Sequence, residues 1–556
     1  MTSVTREMQW CLRQLLPKVC QEHQFTPAIL LEMSEHVIAL NSGGDIYGAK
    51  NAVPSRRDLL RCRIVAGITV ATLAVFCLLY WIQAIHTGSR LYLGADDVFT
   101  LWMTKVPSVV DALKAGADTA PPPFYFLTRL SCRIFGFTPL GLRVPAMMAL
   151  FVFFISTFFL LRKHVGDAVA GAAGIVALLG NAGATDLFAR PPAMMMMSFS
   201  LMSLIWAGDS SANPKRWRSI LLACLIAFSI TIHFYSVVFV PLLLMMELAW
   251  ATNYRKIRKA HWIGILAGSG VLLLLLPVIL PVYKATHTSA QSAGYYAHPV
   301  PAKIISYVSD IAFQKYQVIS LMALLVLAGI FRWLQLFLRQ SERPRQSAFL
   351  ALGIVGFIAG ILPIVTYIFA ILVTRVYNER YIDSFALALA VGFAFFVRNL
   401  RWPKELELVL LICVVASYGK IVLDSYRFPI DTQVWYEVLV HRAPGNEPIV
   451  LPDGGSFFET QESSDSLVRS RTAYLFLPKG MFDPDTEPAR IPHAWKKIRP
   501  ELPIYENEAF LAQHKSFYIL TFEGAGQELT SWARANFHTQ IVSIQYGASL
   551  IYVSRD

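Results

Sequence analysis

Long apolar runs that alternate with short basic segments organise most of this sequence. Hydrophobic residues make up 55% of its 556 residues, and charged residues only 15%. A soluble protein of this length would not normally need so much apolar surface, and many of the runs approach the roughly 20 residues that cross a bilayer as a helix. The pattern predicts a polytopic α-helical membrane protein.

The apolar runs predict about eleven transmembrane helices. Several of them are shorter than the roughly 20 residues that an upright helix needs. The predicted spans are 62–84, 144–161, 168–184, 193–207, 219–232, 237–250, 262–282, 318–336, 349–373, 382–397 and 406–422.

The basic residues indicate the orientation of the chain. The net charge is +12, yet the lysines and arginines do not form one patch of the kind that binds nucleic acid. They lie in tight clusters between apolar runs, beginning with Arg56, Arg57, Arg61 and Arg63 before the first run. Such clusters stay on the cytoplasmic side. We therefore expect a multi-pass protein of the inner or plasma membrane, with its N-terminus in the cytoplasm. The first outer loop (87–142) and the C-terminus are expected on the periplasmic or extracellular side.

Composition divides the chain into three parts. Residues 1–60 lack the apolar core of a signal peptide and are interpreted as a cytosolic extension, and residues 61–423 form the transmembrane domain. Within the outer loop, residues 121–136 are apolar on one face and basic on another, which predicts a helix in the membrane interface. Short β-type runs after residue 424 predict a small extracytoplasmic α/β domain over 424–556. The β-type runs are EPIVL, SFYILTF, TQIVSIQY and SLIYVS, and the helical run is GQELTSWARANF.

The predicted topology collects acids and arginines on the outer face of the membrane. The first outer loop holds the adjacent Asp96 and Asp97, while Arg190 and Arg380 follow later spans. A carboxylate can take a proton from a hydroxyl or an amine, and arginine forks suit a phosphate leaving group. Apolar helices beside them suit a lipid tail. The set therefore predicts the transfer of a group from a lipid-linked phosphate to an acceptor outside the membrane.

Several short motifs follow one another along the chain. They are Asp96-Asp97, Pro121-Pro122-Pro123-Phe124-Tyr125-Phe126, Phe135-Gly136, Arg143-Val144-Pro145-Ala146, Phe188-Ala189-Arg190-Pro191-Pro192, Ile232-His233-Phe234-Tyr235 and Arg380-Tyr381. Their order and spacing resemble those of the GT-C integral-membrane glycosyltransferases. The resemblance is greatest to the branch with protein O-mannosyltransferases, lipid A aminoarabinose transferases and rhizobial lipopolysaccharide sugar transferases. It covers roughly residues 59–422.

The chain departs from the family pattern at four positions. Pro121 replaces a histidine, Phe188 an acid, Pro192 a tyrosine and Asp97 a glutamate. These differences weaken any metal site. No cofactor is assigned, since a divalent cation is used by some relatives and not by others, and none of the seven cysteines has the spacing of metal ligands.

The resemblance implies an inverting transfer of a hexose or pentose from a polyprenyl-phosphate donor to a lipid, polysaccharide or protein of the cell envelope. It implies a catalytic role for Asp96, which would orient or deprotonate the acceptor, with Asp97 beside it. Arg190 and Arg380 are the candidates for the donor phosphate. The residues expected to bind substrate are Tyr125, Arg143, Arg190, His233, Tyr235, Arg380 and Tyr381.

Two other functions stay open at this point. A transporter or flippase for a lipid-linked saccharide would show repeated halves and mid-span ionisable residues, and neither pattern is visible in the sequence. A non-catalytic membrane scaffold with a partner-binding C-terminal domain is compatible with the departures from the motifs. Single residues also have structural interpretations: Asp96 suits a helix N-terminus, Arg143 a snorkelling helix end and His233 a hydrogen-bonded helix end.

Overall fold

A computed structural model describes residues 56–91, 93–118, 120–181, 189–208, 215–289, 297–313, 347–427, 435–478, 487–522, 526–545 and 548–555. The chain divides into two units, Met1–Ile64 and Val65–Asp556. In the first unit, the described residues are the beginning of helix α1 (Arg56–Arg90). The predicted cytosolic extension therefore lies almost wholly outside the described residues.

Helices make up the described chain as far as residue 427. Their ends follow local rules, since prolines stand in the first turn of the fourth, fifth and seventh helices and glycines follow the third, fourth and fifth. The helices are α1 (Arg56–Arg90), α2 (Ala95–Lys105), α3 (Val109–Ala115), α4 (Pro122–Phe135), α5 (Pro139–Val165), α6 (Asp167–Asn181), α7 (Pro192–Ala207), α8 (Arg216–Ile232), α9 (Phe239–Tyr254), α10 (Lys259–Ser269), α11 (Val271–Ser289), α12 (Pro301–Phe313), α13 (Ser347–Phe369), α14 (Ala386–Asn399) and α15 (Lys404–Arg427).

Six of the described helical segments are long and apolar enough to cross a membrane, and two shorter apolar helices accompany them. The prediction of a polytopic helical protein is thus confirmed. Within the described residues the number of such segments stays below the predicted eleven. The predicted span 318–336 lies outside these residues, and α8 and α14 have only 17 and 14 residues. The six segments are Leu60–Arg90, Pro139–Val165, Phe234–Tyr254, Lys259–Pro281, Leu350–Thr374 and Lys404–Arg427.

Helix α6 forms the interior of this helical part. It is rich in alanine and glycine and packs against α5, α14 and α15. A side chain added at Gly171 would collide with Leu73, and one at Gly174 would collide with Phe154. Small residues therefore allow the helices to approach closely, as is typical of packing between membrane helices.

A buried charged cluster joins α7, α9 and the start of α10. Glu247 accepts hydrogen bonds from Arg258 Nη2 at 2.6 Å, from Trp206 Nε1 at 2.8 Å and from the ring of His261 at 2.9 Å. The Arg258 guanidinium also lies over the rings of Trp206 and Trp250, 4.9 and 4.4 Å from their centroids. Because a buried charge is costly unless it is paired, this cluster fixes the turn between α9 and α10.

The first outer loop contains helices α2, α3 and α4. Helix α4 exposes Phe126, Leu130 and Ile134, which lie four residues apart, and buries Phe124 and Tyr125 on its other side. The predicted amphipathic helix is therefore present, and its apolar stripe has the spacing of a surface that lies on a membrane.

The C-terminal part contains helices and one six-stranded sheet in the order β3-β2-β1-β4-β6-β5. Strands β1 to β4 pair in parallel, while β6 pairs antiparallel with both β4 and β5. Its elements are α16 (Trp435–Arg442), β1 (Ile449–Leu451), α17 (Gly454–Gln461), α18 (Ser466–Arg471), β2 (Thr472–Phe476), α19 (Glu487–Ile498), β3 (Ile504–Glu506), α20 (Asn507–Gln513), β4 (Ser516–Phe522), α21 (Gln527–Asn536), β5 (His538–Gln545) and β6 (Ala548–Ser554).

The four predicted β-type runs correspond to β1, β4, β5 and β6, and the predicted helix corresponds to α21. Strands β5 and β6, which are consecutive in the chain, pair with each other in the antiparallel orientation. Strands β2 and β3 have no counterpart among the predicted runs. Every residue of β2 is buried, so it shows none of the alternation between apolar and polar residues that marks a half-exposed strand.

Candidate active site

The adjacent acids of α2 occupy different environments. Successive residues of a helix point about 100° apart, so Asp96 and Asp97 cannot share one partner set. The side chain of Asp96 is 31% exposed, whereas that of Asp97 is fully buried. Both stand in the first turn of α2, where the helix dipole favours negative charge.

Asp96 lies between two arginines. Its Oδ1 accepts a hydrogen bond from Arg190 Nη2 at 2.9 Å, and its Oδ2 accepts one from Arg380 Nη1. Burial alone would raise the pKa of Asp96, but the two guanidinium groups outweigh it and lower the pKa to about 2. Asp96 is therefore ionised at neutral pH and electrostatically held in place.

Arg190 has a second acidic partner, Asp118. Its Nη1 donates to both carboxylate oxygens of Asp118, at 3.0 and 3.3 Å, and the Asp118 side chain is almost completely buried. Tyr125 is fully buried near this pair. Burial raises the pKa of its hydroxyl, and the Asp118 carboxylate raises that pKa further. Arg190 thus bridges two acids of the same outer loop.

Asp118 is not among the site residues that the sequence predicts. The residue precedes the proline triplet in a short segment of small and polar residues, where a solvated loop acid is the ordinary interpretation. Asp118 lies three residues before Pro121, where the helix that carries the proline motif begins. This position is the one sequence signal that distinguishes it from an ordinary loop acid.

Asp97 pairs with Arg143 inside the protein, and both side chains are fully buried. The other oxygen of Asp97 accepts the N–H of Ala189 at 2.6 Å, and Arg143 Nη1 donates to the carbonyls of Gly88 and Leu91 at 3.1 and 2.8 Å. Asp97 is expected in catalysis and Arg143 in substrate binding, but the structure buries both side chains in the interior beside Asp96. From there they connect the start of α2 to the segment that carries Arg190.

A group of packed aromatic side chains lies beside Arg190 and Arg380. Tyr235 stacks on Tyr381 with ring centroids 3.8 Å apart, and His233 lies 5.3 Å from Tyr381. Nδ1 of His233 accepts the N–H of Tyr235 at 3.2 Å, so in the neutral ring Nε2 carries the proton. Burial and the nearby Arg190 lower the pKa of His233 to about 3, which makes it a neutral group at physiological pH.

The structure thus brings Asp96, Arg190 and Arg380 into direct contact, with Tyr125, His233, Tyr235 and Tyr381 around them. Among the residues that the structure describes, no group of three or more His, Cys, Asp or Glu side chains is arranged to hold a metal ion. Phe188, one of the departures from the family motifs, lies outside the described residues. In such an arrangement the carboxylate can accept a proton, and the two guanidinium groups can stabilise a phosphate.

The fold is similar to that of two solved structures. The structure is similar to ArnT from Cupriavidus metallidurans bound to undecaprenyl phosphate, with a TM-score of 0.51, 12% sequence identity, and coverage of 87% of this chain and 98% of that chain. It is equally similar to ArnT from the same organism in the apo state, with a TM-score of 0.50, 11% identity, and coverage of 88% and 98%. No protein-family model and no curated protein matches the sequence. The chain is thus a multi-pass helical membrane protein that shares its fold with ArnT, in agreement with the resemblance of its motifs.

Proposed function

We propose that this protein is an integral-membrane glycosyltransferase that moves a hexose or pentose from a polyprenyl-phosphate donor to an extracytoplasmic acceptor. The observation that carries the proposal is the position of Asp96 between Arg190 and Arg380. The shared fold with ArnT, which was solved with undecaprenyl phosphate, supports a lipid phosphate as the donor. The acceptor is a lipid, polysaccharide or protein of the cell envelope.

The proposed reaction uses the charges of this cluster. An acceptor hydroxyl or amine attacks the anomeric carbon of the sugar, and the bond from that carbon to the phosphate oxygen breaks with inversion. Asp96 takes the acceptor proton, and the leaving polyprenyl phosphate takes the bonding electrons. Arg190 and Arg380 stabilise the negative charge that develops on the phosphate. No metal ion is assigned a step.

The membrane arrangement that goes with this proposal is the one expected from the basic clusters. It has about eleven spans over residues 61–423, a cytoplasmic N-terminal extension over 1–60 and a periplasmic or extracellular domain over 424–556. In this arrangement Asp96 faces the outer side of an inner or plasma membrane. The exposed stripe of α4 then rests on the outer leaflet.

The first prediction concerns the class of donor. Purified protein in nanodiscs is expected to transfer label from undecaprenyl-phosphate-linked hexoses or pentoses to an envelope fraction, and to transfer none from the corresponding nucleotide sugars. The readout is label in the acceptor together with release of undecaprenyl phosphate. Movement of a lipid-linked saccharide across proteoliposomes without any transfer would contradict the enzyme and favour the flippase.

The second prediction concerns pH. A carboxylate with a pKa of about 2 is a weak base, and a bound phosphate draws Arg190 and Arg380 away from it, which raises its pKa. Protonation of Asp96 at low pH abolishes its role, so activity is lost as pH falls through that pKa. The pH dependence of kcat/KM for the donor reports the free enzyme and that of kcat reports the complex.

We therefore expect an acid limb in the kcat profile between about pH 4 and pH 9. The acid limb of kcat/KM follows the free-enzyme pKa of about 2 and lies below that range. His233 is neutral throughout this range, because its pKa is about 3. A kcat profile without an acid limb in this range would show that donor binding does not release Asp96 from the arginines.

A further inference from the structure

One face of α17 in the C-terminal domain packs along α2. Its contacts come from Gly455, Glu459 and Glu462, which are spaced four and three residues apart and so lie on one side of the helix. Glu462 is the boundary residue at the C-terminal end of α17. Glu459 Oε1 accepts the N–H of Ala95 at 2.5 Å, and Glu462 accepts the indole N–H of Trp102. A Cβ on Gly455 would lie 3.2 Å from the Cβ of Ala95. The two helices are therefore in direct contact from the first residue of α2.

Aromatic packing continues this interface along α2. The fully buried ring of Trp102 meets Phe458 and Trp495 edge to face, with centroids 5.0 Å apart in each pair. Trp495 Nε1 also donates to the carbonyl of Ala117 at 3.0 Å, immediately before Asp118. The C-terminal domain therefore contacts the outer loop beside each of the two acids that bind Arg190.

By accepting the N–H of Ala95, the Glu459 carboxylate supplies a cap that α2 lacks locally. The first N–H groups of a helix have no partner within the helix, and the N-terminal boundary residue here is Gly94, which has no side chain to provide one. Ala95 directly precedes Asp96, so the position of its N–H and the direction of the Asp96 carboxylate are linked. A displacement of about 1 Å at a reacting group can lower a rate by about 100-fold.

We propose that Glu459 is a positioning residue for the transfer reaction, which holds the start of α2 so that Asp96 faces Arg190 and Arg380. The inference rests on the proposed glycosyl transfer and gives the C-terminal domain a part in it. In this proposal the domain acts on the site from outside, through α2.

The test compares two substitutions at one position. Glu459→Ala removes the acceptor of the Ala95 N–H and is expected to lower kcat by about 10- to 100-fold with an unchanged KM for the donor. Glu459→Gln keeps an amide oxygen that accepts the same N–H, and is expected to retain most of the wild-type kcat. Glu528, an exposed acid in the first turn of α21, provides the control, and Glu528→Ala is expected to behave as wild type.

A cross-link separates the contact from the reaction. In a background without the native cysteines, the pair Ala95→Cys and Gly455→Cys is expected to form a disulfide, because these Cβ atoms lie near the distance that a disulfide requires. The oxidised protein should keep the kcat of its reduced form, since the contact persists during turnover. Wild-type kcat in Glu459→Ala, or loss of activity on oxidation, would overturn the positioning role. Absence of transfer by the wild type would instead contradict the proposed function.

Discussion

Replacement of Asp96 by asparagine is expected to lower kcat by about 10²- to 10⁴-fold, the range that a general base contributes. The substitution keeps the shape of the side chain and removes its charge and its capacity to take a proton. The same variant should bind the donor lipid at least as tightly as wild type, because the carboxylate no longer competes with the phosphate for Arg190 and Arg380. Initial rates and donor binding, measured on one purified preparation, give both quantities.

Asp111→Asn is the matched control for this experiment. Asp111 is an exposed acid in the first turn of α3, within the same outer loop, and its backbone N–H bonds to Ser108. Its replacement should leave kcat and donor binding unchanged. If Asp96→Asn keeps the wild-type kcat, the role of base does not belong to Asp96. A loss of donor affinity in that variant would contradict the competition between carboxylate and phosphate.

The helical part of the fold follows from local patterns that the sequence shows directly. Long apolar runs predict membrane helices because the hydrocarbon interior leaves few alternatives for a spanning chain, and α1, α5 and α15 lie where such runs occur. Helices α8 and α14 show where this reasoning weakens, since 17 and 14 residues are fewer than an upright span needs. Strand β2 is not predicted because a fully buried strand shows no alternation of apolar and polar residues.

The residue types and their order in the sequence predict only part of the site. Asp96, Arg190 and Arg380 stand out because an acid and arginines on one face of a membrane suit a phosphate. The different environments of Asp96 and Asp97 depend on the phase of α2 and on what packs against it. Asp118 becomes recognisable through its contact with Arg190, 72 positions away. No local pattern reports contacts of this kind.

The contact of Glu459 with Ala95 joins positions 364 residues apart, and it illustrates the same limit at the scale of domains. A change of composition near residue 424 indicates a separate domain. It carries no information on which face of that domain meets the outer loop, because the contacting residues are ordinary glutamates and aromatics. Only the three-dimensional packing shows that one of them, Glu459, caps helix α2.

Disruption of the buried pair between Asp97 and Arg143 is expected to cause the largest loss of stability. Arg143→Met leaves Asp97 without its counter-ion, and removal of one partner of a buried ion pair costs about 3–5 kcal/mol. Asp97→Leu leaves the opposite charge uncompensated and should cost a similar amount. The measurements are the thermal unfolding midpoint in one detergent and the yield of monodisperse protein.

The double variant with both substitutions distinguishes a charge effect from a general loss of packing. It should be more stable than either single variant, because much of the cost of each single change is the unpaired buried charge. Its activity should nevertheless stay low, since Asp97 also accepts the N–H of Ala189, next to Arg190. Recovery of stability without activity would assign Asp97 to holding Arg190 in position. A double variant whose loss equals the sum of the single losses would show that the two residues stabilise the fold independently.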